Sequence, residues 1–130
     1  MSMRVGFLLG ILWVSVAQAA CDDPPVRGVD WNRCDKRGQD LRQANLDNAL
    51  LNGADLRGAD MTGVHLEKAY LSGANLEGAK LVGAHLRQAN LVAAQLAKAD
   101  LSGADLSQAY LDRAQMPGSN LVGAHLTAVR

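Results

Sequence analysis

The sequence predicts a solenoid of short repeats, and two observations carry that prediction. Every fifth residue from position 41 to position 126 is leucine or methionine, which makes eighteen repeats without a change of frame. An alanine precedes most of these central residues by two positions, as in Ala44-Asn45-Leu46. A period of five fits neither the α-helix nor the simple β-strand. It fits a solenoid in which each five-residue repeat, or pentad, forms one side of a coil.

Residues 1–19 have the pattern of a secretory signal peptide. Arg4 supplies a positive charge, positions 5–16 are almost wholly apolar, and small residues occupy positions 17 and 19, which predicts cleavage before Ala20. A membrane anchor is disfavoured, because a span needs about 20 apolar residues and polar sequence begins at Cys21. Residues 18–21 also loosely resemble a lipoprotein cleavage site, so lipidation of Cys21 stays open. We expect a periplasmic or secreted protein, with no membrane contact unless Cys21 is lipidated.

Charge and cysteine content narrow the function classes. Removing residues 1–19 removes one basic side chain, Arg4, and no acidic one, which leaves 12 basic and 13 acidic side chains, a net charge of −1. Nucleic acid is not expected as a partner, because it would require a clustered basic face. In an oxidising compartment Cys21 and Cys34 are expected to form a disulfide worth about 3 kcal/mol in the chain-entropy model. Their spacing suits no zinc motif.

The ends of the solenoid differ from its middle. Residues 20–28 are expected to be an extended cap segment over the first coil, and residues 29–130 the repeat domain, because terminal repeats must hide an apolar cross-section. Lys36 occupies a central position, where it is a poor core residue, so we expect an irregular first coil. At the other end no capping helix follows the last repeat. Leu121 and Leu126 are therefore the candidate site of end-to-end self-association, with a homodimer as one outcome.

The pattern Ala-(Asp/Asn)-Leu-x-x resembles the pentapeptide-repeat family over about 100 residues. The resemblance implies an all-β solenoid, a right-handed quadrilateral β-helix with twenty residues per coil, in which the central residue and the alanine point inwards. The twenty pentads of residues 29–128 then make five coils, a rod of about 24 Å at the usual strand spacing. Glycine at the last pentad position, as at Gly53, suits turns that need a positive φ. Leucine fills the axis, so no ligand channel is expected.

Stacking the sequence at twenty residues per coil collects all three histidines in one column. This histidine column reads Asn45, His65, His85, Asp105 and His125. We expect His65 and His85 to lie about 5 Å apart on adjacent coils. A surface Zn²⁺, Cu²⁺ or Ni²⁺ site formed by His65, His85, Asp105 and His125 is one hypothesis. A pH-sensitive face is another, because adjacent imidazoles resist joint protonation. The alternative is a solvated column without a ligand, since a straight column does not converge on one point.

A second column collects both tyrosines. It contains Leu50, Tyr70 and Tyr110, with Asp30 and Asn90 at its other positions. These three residues form a candidate contact strip for protein or sugar. Isolated exposed apolar residues are ordinary, and this more modest interpretation is favoured.

Catalysis is not expected from this chain. No serine or cysteine is placed beside a histidine in a recess, the carboxylates are exposed, and no glycine-rich phosphate loop opens a helix. We predict a binding or scaffold protein without cofactor, whose partner is an unknown protein or envelope component. Some pentapeptide-repeat proteins resemble DNA and protect topoisomerases by mimicry. That role is disfavoured by the predicted export, the near-neutral charge and the mostly leucine centres.

Overall fold

A computed structural model describes residues 4–8, 11–15 and 20–130 of the chain. Strands β1 (Arg4–Leu8) and β2 (Ile11–Ser15) pair antiparallel, with Arg4 opposite Ser15 and Leu8 opposite Ile11. The predicted cleavage site at residues 17–19 lies outside the described residues. The signal peptide therefore stays a prediction.

From residue 30 onwards each coil pairs in parallel with the next at a separation of twenty residues. In one column Asn45 pairs with His65 and His65 with His85. Leu46 N donates to His65 O at 2.7 Å, and His65 N donates to Ala44 O at 2.9 Å. The bridges are isolated because a turn interrupts the extended backbone in every pentad, so the all-β architecture consists of stacked single bridges. The predicted coil of four pentads is confirmed.

A tight turn follows each central residue and explains the glycines. Ala44 N donates to Leu41 O at 3.1 Å, and Gln43 has a φ of 59°. A positive φ at the third of four residues is the mark of a type II turn, which glycine adopts without strain. Gly53 has a φ of 65°, as expected. Among residues 20–130, ten residues other than glycine share this conformation, so the turn is imposed even where the sequence does not favour it.

The core is a stack of leucine and alanine layers. The central residues from Leu46 to Leu106 and the alanines of the repeat from Ala49 to Ala109 are at most 1% exposed. Two substitutions, Met61 and Val64, belong to the same cluster and are fully buried. Within the described residues no polar or charged side chain is buried. The interior is therefore structural, and any binding surface lies on the faces or the ends.

The first coil is regular, which corrects the expectation based on Lys36. Lys36 N donates to Asp55 O at 2.7 Å, as the central residues of other coils do. Its ammonium group lies 3.9 Å from the centre of the Trp31 ring and donates to the Cys21 carbonyl. The lysine therefore keeps its apolar stem inside and its charge at the rim. Burial lowers its pKa, and the charge of Asp23 opposes that shift.

The cap segment is pinned to the first coil by three contacts. Cys21 and Cys34 form a disulfide with Cα atoms 5.4 Å apart. Trp31, which is 1% exposed, donates its indole N–H to Asp23 O at 3.1 Å. Lys36 holds the Cys21 carbonyl. The repeat geometry also starts one pentad earlier than expected, because residues 26–29 already form the turn, with Gly28 at a φ of 72°.

Candidate functional site

The residue directly before each central residue, here called the pre-centre residue, has a structural task when it is aspartate or asparagine. Its side-chain oxygen accepts a hydrogen bond from the backbone N–H two residues later, as Asp105 does from Ser107 at 2.9 Å. This is an Asx turn, which satisfies an amide that the coil leaves unpaired. All eleven Asp and Asn residues at this position make the bond. Their abundance is therefore explained by the fold.

Nine pre-centre residues cannot make this bond to the turn, and they include most of the candidate site residues. Each of them except Gln115, whose turn has Pro117 in place of the donor, forgoes a bond worth about 0.5–1.5 kcal/mol. Some of the backbone N–H groups left without this acceptor donate to a side chain of the previous coil. Glu67 N donates to Asp47 at 2.8 Å, and Ser72 N donates to Asn52 at 3.0 Å. The nine residues are Leu50, His65, Tyr70, Lys80, His85, Gln95, Tyr110, Gln115 and His125.

The histidine column brings together two of its four candidate ligands. The exposed rings of His65 and His85 are stacked, with centroids 4.5 Å apart and planes 12° from parallel. Imidazole lone pairs lie in the ring plane, so these two rings direct their nitrogens side by side and not towards one point. His125 lies two coils beyond His85, about 10 Å away. No three His, Cys, Asp or Glu side chains in the described ranges converge as a metal site requires.

Asp105 is committed to its own turn. Hydrogen bonds from Ser107 lower the pKa of this carboxyl group, and the charges of His125 and Arg87 lower it further. A carboxylate held in this way is a poor candidate for a shared metal centre with His85. The metal hypothesis would need the histidine rings to rotate, whereas the pH hypothesis uses the stack as it is.

Arginines neutralise the acidic columns near the N-terminal end. Arg37 binds Asp35 through two hydrogen bonds of 2.9 and 2.8 Å, and Arg42 binds Asp40 in the same way at 2.8 Å. These bonds lower the pKa of both carboxyl groups to about 2. Arg57 pairs with Asp55 at 2.6 Å. The faces therefore alternate in charge, and no acidic stripe of the kind expected of a DNA mimic forms here.

The tyrosine column lines an open groove of about 360 Å³. Tyr70 is 48% exposed and Tyr110 38% exposed, with Asn90 paired between them. Across the groove lie side chains from the last position of the preceding pentads, which sequence reasoning missed. Their columns also repeat every twenty residues, and that signal was available. The lining residues of this tyrosine groove are Asn48, Lys68, Ala69, Tyr70, Gln88, Asn90 and Tyr110, so Leu50 of the expected strip is not among them.

The C-terminal coil is the exposed end of the core. Leu121 is half-buried, and Leu126 is 41% exposed. The backbone N–H groups of Met116, Leu121 and Leu126 have no backbone acceptor within residues 20–130. This coil therefore presents both apolar side chains and unpaired donors at one surface.

Comparison with protein families decides the identity of the repeat. The model described as pentapeptide repeats matches in eight copies, over residues 32–67, 49–88, 69–108 and 89–127. The chain belongs to the pentapeptide repeat family. A search of curated proteins found no significant match.

Two solved pentapeptide repeat proteins share the fold. One, from the Arabidopsis thaliana thylakoid lumen, is 32% identical and aligns over 72% of this chain and 65% of its own, with a TM-score of 0.70. The other, Rfr23 from the cyanobacterium Cyanothece 51142, is 28% identical over 98% of this chain and 76% of its own, with a TM-score of 0.66. The chain thus spans less than two thirds of the thylakoid protein. The four-sided β-helix of the family is the fold of this pentapeptide repeat protein.

Within the described residues, no helix has the length and apolar character needed to cross a membrane. 

Proposed function

We propose that this pentapeptide repeat protein is an exported, non-enzymatic binding and scaffold module that acts through its faces and ends. One observation carries the proposal: the polar pre-centre residues that the fold explains are interrupted by tyrosines and histidines that it does not explain. These side chains are exposed and stacked in columns, while the core is filled with leucine and alanine. Recognition by surface complementarity is the activity that such a rod supports, and the partner is a protein or another envelope component.

Export is supported by the apolar segment behind Arg4 and by the Cys21–Cys34 disulfide. Disulfides persist in oxidising compartments. One solved relative, at 32% identity, comes from a thylakoid lumen. We therefore place the mature protein in the periplasm or outside the cell.

Intact mass of the protein purified from an exporting host tests this placement. We expect a chain that begins at Ala20 and gains the mass of two hydrogen atoms on reduction. A chain that begins at Cys21 with added acyl mass would mean a membrane-tethered lipoprotein without the disulfide. A chain that retains residues 1–19 in the soluble cell fraction would contradict export.

The C-terminal coil is the proposed self-association surface, with a second copy as its partner. Unpaired N–H groups beside Leu121 and Leu126 are a template for pairing with another chain. We expect concentration-dependent dimers in sedimentation experiments, and loss of the dimer in Leu126→Asp. Val122→Asp is the matched control, because Val122 is 76% exposed on the side of the same coil. A wild-type protein that stays monomeric at high concentration would remove this part of the proposal.

The histidine column supports a second candidate function, a metal- or pH-responsive surface. The stacked pair of His65 and His85 is the observation that favours it. Calorimetric titration with Zn²⁺ and Cu²⁺ should give saturable binding that His65→Ala abolishes and that Gln95→Ala, an exposed pre-centre change on another face, leaves intact. Absence of binding together with ordinary histidine titration by NMR would exclude both forms of the hypothesis.

A further inference from the structure

The tyrosine groove has two walls of different chemistry. Tyr70, Asn90 and Tyr110 form one wall, and each lies one coil from the next. Lys68 and Gln88 lie on the other wall, with buried Ala69 between the walls. The two tyrosines are separated by two coils, about 10 Å, which is close to the length of a disaccharide in an extended chain.

The polar side chains of the groove are available to a ligand. Lys68, Gln88 and Asn48 make no side-chain hydrogen bond or ion pair within the described part of the chain. By contrast, Arg37, Arg42 and Arg57 are each held by an aspartate. 

Asn90 offers the NH₂ group of its side-chain amide to a ligand in the groove. Its Oδ1 accepts from Val92 N at 3.0 Å, so its NH₂ group is left to donate. Lys68 is the only charged side chain among the groove-lining residues. The groove therefore offers aromatic surface, amide groups and one positive charge.

The backbone of this face cannot bind an added strand. Tyr70 N donates to Ala49 O, and Leu71 N donates to Asn90 O, so these groups are used between coils. A peptide would find no ladder to extend here, although β-strand addition is a common way of binding extended peptides. Recognition in the groove must use side chains alone.

We propose that the tyrosine groove binds a linear oligosaccharide that carries carboxylate groups. Pyranose rings lie against Tyr70 and Tyr110, the Lys68 ammonium pairs with a sugar carboxylate, and Gln88 and Asn90 bind hydroxyl groups. This inference rests on the proposed function, because an exported protein meets such glycans and a retained one does not. It adds the ligand class and the residues that recognise it.

Calorimetry of the full chain with two tetrasaccharides tests the inference. Tetragalacturonate, which carries a carboxylate on each sugar, should bind saturably and at least about tenfold more tightly than neutral cellotetraose. Tyr70→Ala and Tyr110→Ala should each weaken tetragalacturonate binding by about tenfold. Lys68→Gln should remove the preference for the acidic sugar. Val82→Ala, an exposed apolar change on another face, is the control and should bind as the wild type does.

Several results would overturn the inference. They are no saturable binding of tetragalacturonate, equal binding of both sugars by the wild type, or unchanged affinity in the tyrosine variants. The tyrosines are exposed, so thermal denaturation should confirm that the variants remain folded. Photo-crosslinking from Gln88 in the producing host separates this inference from the proposed function. A crosslinked protein partner without sugar binding would refute the glycan and leave the binding module, whereas a retained, unprocessed chain would refute both.

Discussion

Truncation of a core leucine in the middle coil should be far more damaging than the same change at the open end. Leu71 is 0% exposed and lies between Leu51 and Leu91 of the adjacent coils, which are equally buried. Leu71→Ala removes three buried carbons, or about 2.4 kcal/mol at about 0.8 kcal/mol per methylene. Coils above and below prevent collapse around the cavity, so we expect a total loss of about 3–4 kcal/mol, within the range observed for such changes.

The matched control is Leu126→Ala in the last coil. Leu126 is already 41% exposed, so about three fifths of the transfer energy is at stake, about 1.4 kcal/mol, and no closed cavity forms. Guanidinium unfolding followed by far-UV circular dichroism measures both losses. Equal losses for the two variants, or a loss below about 1.5 kcal/mol for Leu71→Ala, would refute the account of a core sealed by neighbouring coils.

Three further predictions concern the turns, the exposed ion pairs and the cap. Gly58→Ala should cost about 1 kcal/mol, because its φ of 66° strains alanine although no atom lies within 4 Å of the new Cβ. Ala93→Gly should instead stabilise the fold, because glycine adopts the φ of 58° at this position without strain. Thermal denaturation measures the change in stability of both variants. Urea resistance should fall as pH drops from about 4 towards 2, because Asp40 has a folded pKa of about 2 below its usual 3.8. The stability that Asp40 contributes is thus fully present above its unfolded-state pKa and is lost as the folded carboxylate becomes protonated. In Asp40→Asn, the urea concentration at the unfolding midpoint should therefore depend less on pH. Reduction of the Cys21–Cys34 disulfide should lower the unfolding free energy by about 3 kcal/mol, whereas the double serine variant should not respond to reductant.

The register of the solenoid could be predicted from the sequence because its period never slips. A single inserted residue would have displaced every later column, yet His65, His85 and His125 fall where counting by twenty places them. The expectation of an irregular first coil was wrong because residue type alone treats the lysine at central position 36 as incompatible with the core. Its stem and its ammonium group meet different surroundings, and only three-dimensional placement shows that a carbonyl and an aromatic ring receive the charge.

The candidate sites were predictable only as far as the backbone fixes them. Counting placed His65 beside His85, but the parallel orientation of their rings depends on side-chain torsions that the repeat does not specify. Only the tyrosine wall of the groove could be predicted from the sequence. Tyr70 and Tyr110 share a column, whereas Lys68 and Gln88 reach them across a turn, and that distance depends on how tightly the turn closes.

The pre-centre position offers a physical way to separate structural from functional side chains in this repeat. Aspartate or asparagine there binds the amide of its own turn, so any other residue gives up about 0.5–1.5 kcal/mol unless another acceptor replaces it. Gln115 loses nothing, because the residue that would donate is Pro117, which has no N–H. Tyr110 does lose this bond, because the N–H two residues later, that of Asp112, is present and has no acceptor within the described residues. A residue that forgoes a stabilising bond, remains exposed and repeats in one column is better explained by a ligand than by the fold.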